Sequence, residues 1–134
     1  DEAKKIAKTA KQLHTTGSNF TPQIRLAHIA TAVVDMLRTS LDAYARLDTI
    51  SAAQVVRQDK EVDAEFKGIM RQLITYMMED PRTISQSIEL MFVAKSVERI
   101  GDHAKNIAEY VVYMVKGRDV RHTSLEEIER EATR

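Results

Sequence analysis

Residues 90–114 have the sequence LMFVAKSVERIGDHAKNIAEYVVYM. Their apolar residues recur at spacings of three and four, which is the period of a helix face that packs against other helices. The positions are Leu90, Val93, Val97, Ile100, Ala104, Ile107, Val111 and Met114. The stretch therefore predicts a long helix in a bundle, and Lys116-Gly117 predicts its end, with a cation in the last turn and a glycine just beyond it.

Two further helices are predicted before this one. Thr21-Pro22 is a helix-start signal for a helix of about residues 22–47. Ser51 and Gln54 match a capping box, which predicts the start of the second helix. Asp80-Pro81 repeats the start signal before the third. Three long helices joined by short loops predict an all-α fold, an antiparallel up-down three-helix bundle.

Composition excludes several classes of function. The 134 residues include 20 Lys and Arg and 20 Asp and Glu, so the formal net charge is zero, which argues against a nucleic-acid-binding surface. No cysteine is present, which excludes disulfides, thiolate metal sites and cysteine nucleophiles. The chain contains no apolar run of the roughly 20 residues needed to span a membrane. We therefore expect a soluble, intracellular, helix-rich domain without direct membrane insertion.

An internal repeat extends the predicted architecture. Asp1-Glu2-Ala3-Lys4-Lys5-Ile6-Ala7-Lys8 aligns with Asp102-His103-Ala104-Lys105-Asn106-Ile107-Ala108-Glu109, and five of the eight positions are identical. This offset corresponds to about one three-helix unit. Chance similarity is the alternative, because Ala and Lys are common in helices. We expect residues 1–14 to be the end of the last helix of a preceding repeat, packed as an extra N-terminal helix on the bundle or exchanged with another molecule.

Two pairs of carboxylates stand at helical spacing. Asp59 and Asp63 are four apart on the second helix, and Glu98 and Asp102 are four apart on the third. Like charges at this spacing repel, unless a cation with a preference for oxygen ligands lies between them. Asp59 is in register with the apolar stripe of its own helix, so its charge needs a partner. Glu98 and Asp102 lie opposite the apolar seam, so a metal there is expected in a surface groove between helices. A solvated acidic face remains the alternative.

Three segments together resemble the PhoU family of phosphate-uptake regulators. VERIGDHAKNIAE at residues 97–109 resembles the family signature, GRDVRH at 117–122 resembles the stretch after that helix, and DKEVD at 59–63 resembles the acidic motif of the preceding helix. The family is built of two three-helix repeats. The resemblance implies that residues 1–14 end the first repeat and that 20–122 form the second. The residues themselves indicate a charged C-terminal tail over 123–134, with a short terminal helix from Ser124 and Leu125 as the alternative.

The resemblance also implies a function. PhoU proteins are cytoplasmic, non-enzymatic regulators of phosphate uptake and phosphate-starvation signalling, which act with the ATPase subunit of a phosphate ABC transporter and with a sensor histidine kinase. Some members bind metal on the bundle surface, which would make Asp59, Asp63, Glu98, Asp102 and Asn106 the ligands here. Oxygen ligands suit Fe, Zn, Mg, Mn or Ca, so the metal stays open. A homodimer is also expected.

Two alternatives stay open beside this reading. A His-phosphotransfer signalling domain would use His103 or His28, although the residues after His103 do not resemble that pattern. A purely structural helical bundle would leave the acidic pairs solvated and without metal. No catalytic residue is predicted under the leading hypothesis.

Overall fold

The protein is a bundle of helices. The computed structural model describes residues 1–15, 26–117 and 119–134. Its helices are α1 (Glu2–Thr15), α2 (Leu26–Arg46), α3 (Thr49–Glu79), α4 (Ile84–Lys116) and α5 (Leu125–Thr133), and one turn of 3₁₀ helix, Pro81–Thr83, leads into α4. These ranges contain no strand. The predicted all-α fold is confirmed, and the predicted start signal at Thr21-Pro22 lies outside the described residues.

Helix α4 is the central element, because α1, α2, α3 and α5 all contact it. Half of the predicted seam is fully buried, namely Val93, Val97, Ala104 and Val111. Met114 at the end of the seam is 40% exposed, whereas Ala94, Gly101, Ala108 and Val112 are buried beside it. A single apolar stripe is expected for a helix that packs against neighbours on one side only. Helix α4 has neighbours on several sides, so buried residues also lie outside the stripe.

The start of α3 differs from the prediction. The N-cap is Asp48, whose Oδ1 accepts hydrogen bonds from the backbone N–H groups of Ile50 and Ser51, each at 3.1 Å. Ser51 lies inside the helix, and its hydroxyl donates to Asp48 Oδ2 at 2.7 Å. The predicted N-cap at Ser51 was therefore wrong, because the helix is capped three residues earlier, at Asp48. An aspartate carboxylate accepts several donors at once and also complements the positive end of the helix, which favours it as the cap.

The end signal at Gly117 is confirmed, whereas Asp80-Pro81 starts the 3₁₀ turn that leads into α4, and α4 itself begins at Ile84 after Thr83. Asp80 caps the 3₁₀ turn, with its Oδ1 accepting the N–H of Arg82 at 3.1 Å and Pro81 in the first position. Gly117 follows α4 in the left-handed conformation, with φ at 70°, and its N–H donates to the carbonyl of Tyr113 at 2.8 Å. Residues with a side chain rarely adopt this conformation, so the glycine ends the helix at low cost.

Helices α1 and α5 lie at the two sides of the bundle. α1 packs on α4 of the same chain, where Glu2 Oε1 lies 3.4 Å from Arg99 Nε. The segment predicted as a charged tail contains α5, which packs on α3 and buries Ile128 and Ala132. The hydroxyl of Thr49 donates to the carbonyl of Ala132 at 2.7 Å and ties the end of α5 to the start of α3.

Substitutions at the start of α3 test whether Asp48 is its N-cap. We expect Asp48→Ala to lower the free energy of unfolding by about 1 kcal/mol, because two backbone donors lose their acceptor. Ser51→Ala should cost less, since Ser51 only braces the cap. Urea denaturation of both variants measures the difference. A larger loss in Ser51→Ala would contradict the assignment of Asp48 as the cap.

Candidate metal centre

Three aspartates converge where α3 packs against α4. Asp59 and Asp63 come from successive turns of α3 and Asp102 comes from α4, and one carboxylate oxygen of each lies within 4.8 Å of the others. The pairing of i and i+4 on one helix with a residue of the neighbouring helix is what brings them together. Three oxygen donors at this separation match the ligands that hard divalent cations prefer. The described residues thus contain a carboxylate cluster, which we call the aspartate cluster.

Asp59 is the innermost member of the aspartate cluster. It is 3% exposed, since it follows the buried Val55 and precedes the buried Val62 on the core face of α3. Its Oδ1 is buried and has no hydrogen-bond partner, and its Oδ2 lies 3.8 Å from Lys105 Nζ. A buried carboxylate oxygen without a partner is costly. This orphaned oxygen fits a cation as the missing partner.

Burial and mutual repulsion disfavour charge in the cluster. Burial raises the pKa of Asp59 to about 7, with a further increase from the charge of Asp63, while Lys105 opposes the shift. Burial also raises the pKa of Asp63 and of Asp102, and in both cases the charge of Glu98 adds to the effect. A bound cation would reverse these shifts by stabilising the ionised carboxylates.

The other two predicted ligands lie at the edge of the site. The charge of Glu98 raises the pKa of Asp63 and Asp102, so this residue lies near the cluster. Its Oε1 accepts a hydrogen bond from Lys95 Nζ at 2.7 Å. Asn106 is exposed on α4, one turn beyond Asp102. The cluster runs from buried Asp59 to exposed Asp102, so only its outer part lies in the surface groove that the sequence indicated. The assignment of all five residues as ligands stays a prediction.

Two contributors to the site were missed by sequence reasoning. A Cβ placed at Gly101 would lie 3.8 Å from Asp59 Oδ1 and 3.4 Å from Val33 Cγ2, so the glycine leaves room beside the orphaned oxygen. A glycine inside a strongly helical pattern was the available signal. Lys105 is the second contributor that was missed, and its Nζ lies 3.8 Å from Asp59 Oδ2. Its position three residues after Asp102, on the same side of α4, was the available sequence signal.

The histidines considered for phosphotransfer occupy separate places. His103 is exposed next to Asp102. His28 lies on α2, where its Nδ1 is 2.9 Å from Glu65 Oε2 of α3. Neither is in the aspartate cluster, and the phosphotransfer alternative stays untested.

Comparisons with known proteins point to one family. The family model described as PhoU domain matches residues 26–111. The chain is 47% identical over 131 residues to the phosphate-specific transport system accessory protein PhoU homolog of Pseudomonas aeruginosa, which covers 98% of the chain and 54% of that relative. It is 44% identical over 131 residues to the Escherichia coli K12 protein named phosphate-specific transport system accessory protein PhoU, with 97% and 54% covered.

A solved structure agrees with the sequence comparisons. The crystal structure of PhoU from Pseudomonas aeruginosa superposes with a TM-score of 0.84 at 47% identity, over 88% of the chain and 56% of that structure. The chain thus spans about half the length of the relatives it matches. No described helix is long and apolar enough to cross a membrane.

The burial of Asp59 predicts a specific dependence of stability on pH. Its folded pKa of about 7 lies above the unfolded value of about 4, so its contribution to stability is full below the unfolded value and is lost as pH rises through the folded value. In a chelating buffer we expect the free energy of unfolding to fall between pH 4 and 8 by on the order of 2–4 kcal/mol from this group.

Asp59→Asn should remove most of this decrease, because the amide cannot ionise. Asp35→Asn, an exposed position on α2, is the matched control and should leave the decrease in place. Urea denaturation at a series of pH values measures both. An undiminished decrease in Asp59→Asn would contradict the buried, uncompensated carboxylate.

Proposed function

The chain belongs to the PhoU family, and on that premise we propose that it regulates phosphate uptake and phosphate-starvation signalling through contacts with other proteins, without catalysing a reaction. The observation that carries the proposal is the combined likeness in sequence and fold to relatives named phosphate-specific transport system accessory proteins. Because the chain spans about half of those relatives, their activity is assigned to it only within this proposal.

The proposed partners are the ATPase subunit of a phosphate ABC transporter and a sensor histidine kinase, both met in the cytoplasm. Exposed apolar side chains on three helices support protein contacts, and Leu41, Tyr44, Met78 and Phe92 are each more than half exposed. Large exposed apolar residues of this kind are common at protein interfaces. A second copy of the chain is a further proposed partner.

We also propose a repeat organisation, with residues 20–122 as one three-helix repeat. Helix α1 would then be the end of the last helix of the first repeat, and α4 is the last helix of the second repeat. Residues 1–8 of the first align with residues 102–109 of the second. The packing of α1 along α4 is consistent with two equivalent helices meeting at the boundary between repeats. In this proposal α5 is an addition to the repeat that fastens onto α3.

The aspartate cluster is proposed to hold a metal ion. Asp59, Asp63 and Asp102 would bind it directly, with Glu98 and Asn106 as outer candidates. The ion, one of Mg, Mn, Ca, Fe or Zn, would supply positive charge between carboxylates that otherwise repel. Residues of α3 and α4 would thereby be held together at the site. The orphaned Asp59 Oδ1 and the raised pKa of all three aspartates support this proposal.

Metal content tests the cluster. We expect the purified chain to bind Mn²⁺, and Asp63→Asn to weaken binding by at least about tenfold, since one of three close carboxylates loses its charge. Glu61→Gln is the matched control, because it removes an exposed charge from the same helix. Calorimetric titration measures the affinities. Equal binding by the wild type and Asp63→Asn would remove Asp63 as a ligand.

The outer candidates are resolved by the same titration. Glu98→Gln should weaken binding by less than Asp63→Asn, because Lys95 already holds Glu98 Oε1. Asn106→Ala decides whether its amide oxygen takes part. An unchanged affinity in Asn106→Ala would remove it from the ligand set.

Partner capture tests the regulatory proposal separately. We expect the immobilised chain to retain the transporter ATPase subunit and the cytoplasmic part of the sensor kinase from a mixture of purified proteins. An unrelated helical bundle of similar charge serves as the control surface. Failure to retain either partner, with or without Mn²⁺, would contradict the proposal even if metal binds.

A further inference from the structure

A second pocket lies at the C-terminal end of α4, away from the aspartate cluster. Its volume is about 270 Å³, and its lining residues are Glu109, Tyr110, Tyr113, Asp119 and Arg121. Glu109 is seven residues beyond Asp102, which is two helical turns or roughly 10 Å along α4. The two sites are therefore spatially distinct, and nothing in the proposed metal binding uses this pocket.

Glu109 is the unusual member of the pocket. It is 3% exposed, and its Oε2 is buried without a hydrogen-bond partner. Burial raises the pKa of its carboxyl, against the opposing positive charges of Lys105 and Arg121. A buried carboxylate normally has a cationic or hydrogen-bonding partner. Because the carboxyl group can turn about its last bond at little cost, either oxygen can face the pocket.

The remaining charges of the pocket cancel each other. Arg121 donates to both carboxylate oxygens of Asp119, from Nε to Oδ1 at 3.0 Å and from Nη2 to Oδ2 at 2.7 Å. Its backbone N–H also donates to Asp119 Oδ1 at 3.1 Å. This pairing occupies the arginine, so the pocket does not offer it to an anion. Among the described residues that line the pocket, Glu109 keeps a buried carboxylate oxygen without a hydrogen-bond partner, which favours a cationic ligand.

Two tyrosines determine what kind of cation fits. Tyr110 and Tyr113 are 57% and 48% exposed, and their ring centroids are 6.0 Å apart at an interplanar angle of 46°. Aromatic faces attract cations, and a planar guanidinium both stacks on such rings and forms paired hydrogen bonds with a carboxylate. A metal ion is a poorer match, because Asp119 is already paired and only Glu109 remains as a ligand.

The surroundings indicate where the cation comes from. Met114 and Val115, which follow Tyr113 directly along α4, are exposed apolar residues. Tyrosine and arginine are enriched among the residues that dominate protein interfaces, typically as an anchor within an apolar rim. We propose that this pocket accepts the guanidinium group of an arginine side chain presented by a partner protein.

The proposal is tested with short blocked peptides and the ¹⁵N-labelled full chain. Acetyl-Gly-Arg-Gly-amide should shift the backbone amide resonances of residues 109–113 and 119–121 in a saturable manner. The same peptide with citrulline, which keeps the shape but lacks the charge, should bind at least about tenfold more weakly. Equal binding of the two peptides would overturn the proposal, because charge would then play no part.

Two variants keep the test independent of folding. Glu109→Gln should weaken arginine-peptide binding at least about tenfold, and it removes a buried charge without changing size. Tyr113→Leu changes an exposed residue and should also weaken binding. Glu126→Gln, an exposed position on α5, is the control and should bind as the wild type does. Unchanged binding by Glu109→Gln would overturn the assignment of its carboxylate.

Two further ligands test the kind of cation and its source. The matching lysine peptide should bind more weakly than the arginine peptide, and equal affinity would overturn the choice of a guanidinium over an ammonium group. Propylguanidine carries the guanidinium group and its three-carbon stem without a peptide backbone or a second charge, and we expect it to bind more weakly than the arginine peptide. Propylguanidine binding as tightly as the peptide would overturn a protein as the source.

Discussion

The enclosure of α4 by other helices is the constraint on which the rest of the molecule depends. A helix that is contacted by α1, α2, α3 and α5 must present small or apolar side chains in several directions. Ala94, Gly101, Ala104 and Ala108 meet this requirement, since all four are buried and none projects far from the axis. Close approach of neighbouring helices follows from that.

Gly101 lies where this packing meets the aspartate cluster. A Cβ at that position would lie 3.4 Å from Val33 Cγ2 of α2 and 3.8 Å from Asp59 Oδ1 of α3, so both side chains lie close to the backbone of α4 there. Asp59 is almost completely out of water, whereas Asp102, next to the glycine, stays exposed. The cluster thus has a buried floor and an open side. This arrangement allows an ion to enter from solvent and meet a carboxylate that has no other partner on its Oδ1.

Sequence periodicity was enough for the long helices and for the two pairs Asp59–Asp63 and Glu98–Asp102, because helix period and i,i+4 spacing are local properties. That residues of α3 and α4 share one site was implied only by the family resemblance, and the structure brings together Asp59, Asp63 and Asp102. It was not enough for features that depend on neighbouring elements. Ser51 satisfied a capping pattern, but Asp48 lies three residues earlier and accepts both backbone donors. The sequence left residues 123–134 open between a charged tail and a short terminal helix, because the burial of Ile128 in α5 depends on contact with α3. Likewise, nothing in the local pattern around Glu109 shows that its carboxylate is buried.

Lys105 acts on both acidic sites without compensating for the burial of their carboxylates. Its single positive charge lowers the pKa of Asp59, Asp63, Asp102 and Glu109, and in each case burial outweighs it, so that all four values stay raised. One ammonium group therefore serves two separate acidic sites and neutralises neither. A bundle selected only for stability would replace Asp59 and Glu109 with apolar residues, because uncompensated buried charges destabilise the folded state. Perturbed carboxylates of this kind are typical of binding sites, where a ligand supplies the missing positive charge.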